Sequence, residues 1–153
     1  MTTEQQIPDR KRALDAMASM PADILAERYG VIARTAPSAI PVRGPEIGAV
    51  MVRGRIGGGG APFNLGEASV TRATVKLDSG EVGHAIVLGR DLEKARMVAH
   101  LDALGQRAEW QPMIETDVVA PALVLDAEAR RQRAEETEAT RVDFFTLVRG
   151  EDR

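Results

Sequence analysis

The chain has 153 residues, 44% hydrophobic and 28% charged, with a formal net charge of −3. That length suits one domain with its own core, and the mild acidity excludes nucleic acid as the main partner, because neutralising phosphates needs a dominant basic surface. There is no cysteine, which excludes disulfides, thiolate metal sites, iron–sulfur ligation and a cysteine nucleophile, and aromatics at 3% are too few to line an aromatic groove.

The stretch Met1 to Arg12 is polar and charged, with no apolar run of signal-peptide length, and no segment approaches the roughly 20 apolar residues of a membrane span. The expected location is the cytoplasm, without membrane contact. Residues 9–34 read as a helical section. Ala13, Leu14, Ala16 and Met17 form one amphipathic run, Pro21 suits the first turn of a second helix carrying Ile24, Leu25 and Tyr29, and that helix ends either at Gly30 or, at a modest cost for the glycine, after Val31, Ile32 and Ala33. Residues 35–45 hold Pro37, Pro41 and Pro45, which predict an extended connector without regular structure.

Residues 46–89 change character. Ile47 to Ile56, Gly66 to Leu77 and Val82 to Leu88 are rich in β-branched residues with period-two alternation, and Asp78-Ser-Gly80 is a turn cluster joining the last two runs into a hairpin. Strands in direct succession favour an antiparallel meander. Residues 91–140 read as helices, the first over Asp91 to Arg107 with Asp91 as N-cap. After an irregular link at Trp110, Pro112 and Met113, a charged helix over Asp126 to Thr140 follows, with at least half its surface facing solvent. Residues 141–149 end the chain as a strand or extended docking segment. The expected class is α+β, a single domain with N-terminal helices, an antiparallel sheet of three to four strands, then long helices.

Several residues could carry chemistry. The run Gly57, Gly58, Gly59, Gly60 offers unobstructed backbone amides to an anion, yet neither a Walker lysine nor a GxGxxG opening a helix accompanies it, so a wide, flexible strand connection is the reading that spacing favours over anion contact. Arg53, Arg55, Arg72 and Arg90 flank that run and would form an anion site if they converge, the alternative being charge pairing with Glu67, Glu81 or Asp91. His84, in a strand, could serve as a general acid or base or be a structural histidine. His100 reads as a surface or interface residue of the long helix. With two histidines and no ligand spacing, a metal site is not expected. No nucleophile beside a base and no paired-carboxylate spacing occurs, so the residues offer binding features without a catalytic signature.

Three segments in order resemble one family: Arg55 to Glu67 followed by Val70-Thr-Arg72, then Gly80 to Asp91, then Thr140 to Gly150 with its Val-Asp-Phe-Phe-Thr-Leu-Val-Arg-Gly ending. Together they are similar to the PhnG family of the bacterial carbon–phosphorus lyase machinery. The resemblance implies an accessory subunit that joins PhnI, PhnH and PhnJ, with PhnL needed for the first reaction, in which a phosphonate displaces adenine from ATP. It implies an enzyme complex that uses ATP, and no cofactor held by this chain alone. It points to Gly57, Gly58, Gly60, Thr71, Arg72, Gly89, Arg90 and Asp91 as ligand-site candidates, and to Phe144, Phe145 and Arg149 as partner contacts. The other reading is an independent phosphate- or nucleotide-binding protein or enzyme using His84 and the nearby arginines. An aromatic-poor core that leaves apolar surface for a partner predicts homo-oligomers of the isolated chain.

Overall fold

The computed structural model describes residues 3–57 and 59–141, with side chains from residue 9 onward. The order is α1 (Thr3–Ser19), α2 (Ala22–Ala33), β1 (Ala39–Gly54), β2 (Phe63–Leu77), β3 (Val82–Leu88), α3 (Leu92–Gly105), α4 (Gln111–Ile114), a π-helical turn (Glu115–Val119) and α5 (Ala120–Ala139). The three strands form an antiparallel sheet in the order β1-β2-β3. The class is α+β, as the patterning predicts. The expected terminal strand at 141–149 lies outside the described residues apart from Arg141.

One face of the sheet is covered by helices. On β2, Ala73, Val75 and Leu77 alternate inward, joined by Ala85 and Val87 of β3, and all pack with Val98, Leu101 and Leu104 of α3. The helices α1 and α2 supply Met17, Met20, Leu25 and Ile32 to the same core. At Gly83 the approach of α3 is so close that a Cβ would overlap the Ala99 carbonyl and lie 2.7 Å from the Ala103 nitrogen, so glycine is required there for helix–sheet packing.

α3 starts where the pattern places it, with the Asp91 carboxylate accepting the Lys94 N–H at 2.9 Å. One other expectation fails. Residues 35–45 are no irregular connector: β1 begins at Ala39 and runs through Pro41 and Pro45. It is an edge strand, so a proline can turn its missing N–H away from β2, and the register shifts between Pro41 and Arg43 and between Arg43 and Glu46 absorb the mismatch. Of the two expected ends of α2, the longer holds: the helix passes Gly30 and continues to Ala33.

The Trp110–Met113 link is helical rather than irregular. It runs through the π turn into α5, and Pro121 explains the turn. Proline lacks the N–H that would bond the Asp117 carbonyl, and Arg28 donates to that carbonyl instead at 2.9 Å. Beyond Asp126, α5 is exposed on all sides.

Candidate functional site

The sheet divides into two parts with different surroundings. β3 pairs with β2 only as far as the Val70–Leu88 pair. From there Ala49–Gly54 of β1 and Phe63–Ser69 of β2 continue as a two-stranded ribbon, about 20 Å long at the rise of a strand. Ile47 stands at its base, opposite Thr71, and the ribbon carries Val50, Met51, Val52, Phe63 and Leu65, with Ile56 in the loop at its tip; their exposures run from 38% at Val52 to 79% at Ile56. By alternation Ile47 and Met51 stand on the face continuous with the core side, while Val50 and Val52 stand on the other. Both faces of the ribbon are therefore apolar and open. On the outer face of the sheet Ile86 and Leu88 extend the apolar surface next to it.

The glycine run lies at the ribbon tip. Gly57 takes φ +66, a left-handed value that favours glycine, and a Cβ at Gly60 would press on the Ile56 carbonyl at 3.1 Å. Gly58 lies outside the described residues. The run reverses the chain between two long strands.

The arginines do not converge. Arg55 sits in the tip loop, whereas Arg72 lies in the body of the sheet opposite Glu46, about 30 Å further along β2 at strand rise. Arg72 donates to Glu46 at 3.2 Å, and Arg43 donates to the same carboxylate at 2.8 Å. The charge partner is thus Glu46, a residue that strand spacing alone did not single out. Arg90 is exposed at the turn from β3 to α3. Among the described residues, neither Arg53 nor Arg55 makes an ion pair or a hydrogen bond.

Thr71 is fully buried, its hydroxyl donating to the Gly89 carbonyl at 2.7 Å and accepting the Asp91 N–H at 3.1 Å. With both roles filled it pins the β3–α3 turn and presents nothing to a ligand. Gly89 (φ +94) and Asp91 belong to the same turn. His84 is exposed on the outer sheet face, with Thr74 Oγ1 3.2 Å from its Nδ1. Phe144, Phe145 and Arg149 lie outside the described residues.

Two polar groups are buried in α3: Asp102, which spacing did not single out, and His100. Asp102, 5% exposed, accepts a fork from Arg10, with Nε at 2.9 Å and Nη2 at 2.7 Å, and also the backbone N–H of His84 at 2.9 Å. This staples α1 and β3 to α3, and the bond to Asp102 raises the Arg10 pKa further. His100 is buried, contrary to its reading as a surface residue. Its Nε2 donates to the Pro37 carbonyl at 2.8 Å, which leaves Nδ1 to accept the Tyr29 hydroxyl at 2.7 Å. Burial pushes the imidazole pKa below its usual value. Arg96 donates to the same phenol at 3.3 Å and lies over its ring. Beside this group is a cavity of about 210 Å³ lined by Tyr29, Ser38, Pro41, Val75 and Arg96, among others. No helix among the described residues is long and apolar enough to cross a membrane.

Comparison with known proteins adds what geometry cannot. The sequence model of the family described as "Phosphonate metabolism protein PhnG" matches residues 8–150. A relative from Rhizobium meliloti (strain 1021), named "Alpha-D-ribose 1-methylphosphonate 5-triphosphate synthase subunit PhnG", is 62% identical over 116 residues, covering 76% of this chain and 74% of that protein.

Proposed function

The chain belongs to the PhnG family of phosphonate metabolism proteins, and we propose that it is a non-catalytic subunit of a ribose 1-methylphosphonate 5-triphosphate synthase. The observation that carries this reading is the 62% identity to a relative named as a subunit of that synthase. The structure supports it from the other side. The candidate ligand residues are dispersed, Thr71 is committed to a turn, and the open surface is an apolar ribbon, which is the property of a component that works against another protein.

In this reading the companion subunits carry the transfer of a phosphonate to the ribose C1 of ATP with release of adenine. This chain docks to PhnI, PhnH and PhnJ homologues, with PhnL joining for the reaction. An independent enzyme using His84 has less support, because Arg55 and Arg72 stand far apart and, among the described residues, His84 has only Thr74 as a side-chain neighbour in hydrogen-bond range. The test is co-expression with a tagged PhnI homologue from the same organism. Co-purification at fixed stoichiometry, with no adenine release from ATP and phosphonate by the isolated chain, is expected. Turnover by the isolated chain, or failure to co-purify with any companion, would refute the proposal.

A further inference from the structure

We infer that the β1–β2 ribbon is a plug that enters a cleft of a companion subunit, a cleft with apolar walls on both sides and acidic groups where the tip arrives. The inference rests on the reading of this chain as a synthase subunit and specifies how it is held there. Its first ground is the placement of apolar side chains on both faces of the same ribbon, Met51 on one and Val50 and Val52 on the other. A flat partner surface would cover one face and leave the other wet; only walls on both sides remove all of these side chains from water.

Size points the same way. Each face or edge of the ribbon, about 20 Å by about 10 Å at strand rise and spacing, presents on the order of 200 Å². Two faces and one edge together come to about 600 Å², the lower end of one partner's share of a specific interface. A second copy joined edge to edge along β1 would bury only one such strip from each protomer, well short of a stable dimer. Nor does the cavity beside His100 suit a second copy's ribbon: about 210 Å³ admits a single side chain.

Charge fixes the chemistry at the far end. Arg53 and Arg55 flank the tip without a partner among the described residues, and the one acidic residue between Ile47 and Glu67 is Glu67 itself, at the base. The tip of a chain of net charge −3 is therefore basic, and matches acidic groups on the partner.

The experiment is capture of untagged chain by tagged companion subunits co-expressed from the same organism, with Val50→Asp and Met51→Asp made separately and Val124→Asp on α5 as control. Thermal melts of each isolated variant establish that it folds. A cleft predicts that each ribbon substitution alone lowers capture at least tenfold, because both faces are enclosed, while Val124→Asp leaves capture unchanged. Arg53→Glu with Arg55→Glu should lower capture most at low salt. If only one of Val50→Asp and Met51→Asp matters, the ribbon lies on a surface and the cleft is wrong. If both retain full capture, docking is elsewhere. Loss of self-association without loss of capture would assign the ribbon to a second copy. Failure of the wild-type chain to be captured at all refutes the subunit reading itself, an outcome distinct from the other three.

Discussion

The same two strands pass through two environments. Between Thr71 and Leu77, β2 has β3 on one side, β1 on the other and α3 across its face, and its inward residues are buried. Between Phe63 and Glu67 it has β1 alone, and its residues are exposed. Apolar residues occur in both halves, Val75 and Leu77 in one and Phe63 and Leu65 in the other. What differs is what lies on top, so the contrast teaches that apolar patterning marks surfaces that must be covered without saying which chain covers them. In the body of the sheet the cover is α3. Along the ribbon it must come from elsewhere.

The contrast can be broken first at its strongest point. Leu101 is fully buried where α3 meets the sheet, and Leu101→Ala should lower the unfolding free energy by about 2–5 kcal/mol, through lost transfer energy and the cavity left behind. Chemical denaturation gives the number. A cost below about 1 kcal/mol would mean that α3 does not seal the sheet. Gly83→Ala probes the same seam from the other side. The added methyl would collide with backbone of α3 that cannot rotate away, so a loss of about 1–3 kcal/mol, with α3 displaced, is expected in the same assay.

The antiparallel meander, the Asp91 cap and the α+β class were legible in the sequence, because each depends on local chemistry: period-two runs, a turn cluster at Asp78–Gly80, a carboxylate at a helix start. Pro41 and Pro45 misled because proline excludes a central strand but not an edge strand, and which strand lies at the edge is a property of the whole sheet. His100 read as a surface or interface residue of the long helix, and Asp102 was not singled out. They are buried because α3 packs on β2 and β3 with α1 and α2 closing over it, a fact with no local signal. Of the candidate site, the arginines were correctly seen to flank the glycine run in sequence. Their separation follows from the length of the ribbon, which strand propensity did not measure.

A middle-sized effect sits at His100. Tyr29→Phe removes the donor to a buried imidazole nitrogen and should cost about 1–3 kcal/mol. The pH dependence has a definite sign. The folded chain holds His100 neutral, with its pKa below the ordinary 6.5, so below that pH the unfolded chain binds a proton that the folded chain refuses. This stability is fully present above 6.5, falls as pH drops through 6.5 toward the lowered folded value, and then levels off. Denaturation midpoints of the wild type and His100→Gln, measured across that window, check it: the variant should show a shallower fall, and parallel curves would assign the effect to other groups.

The smallest effect belongs to the ribbon, and it is the one that separates the two environments most cleanly. Leu65 is 62% exposed, and its side chain lies over Gly54 of the neighbouring strand. Leu65→Ser therefore removes almost no buried area and leaves both β1–β2 pairing and the core untouched, so global stability should change by no more than about 0.5 kcal/mol. An isolated two-stranded ribbon is marginal by itself, which means that it can open without the body of the sheet opening. Hydrogen exchange should record this as a hierarchy. Amides around Met51 and Val52 should exchange by local opening in both proteins, faster in the variant, while those of Ala73 and Val75 should exchange only with global unfolding and at equal rates. Equal protection along the whole of β2, or a variant that loses several kcal/mol, would mean that the ribbon is part of the core after all, and its exposed side chains would then need no companion to cover them.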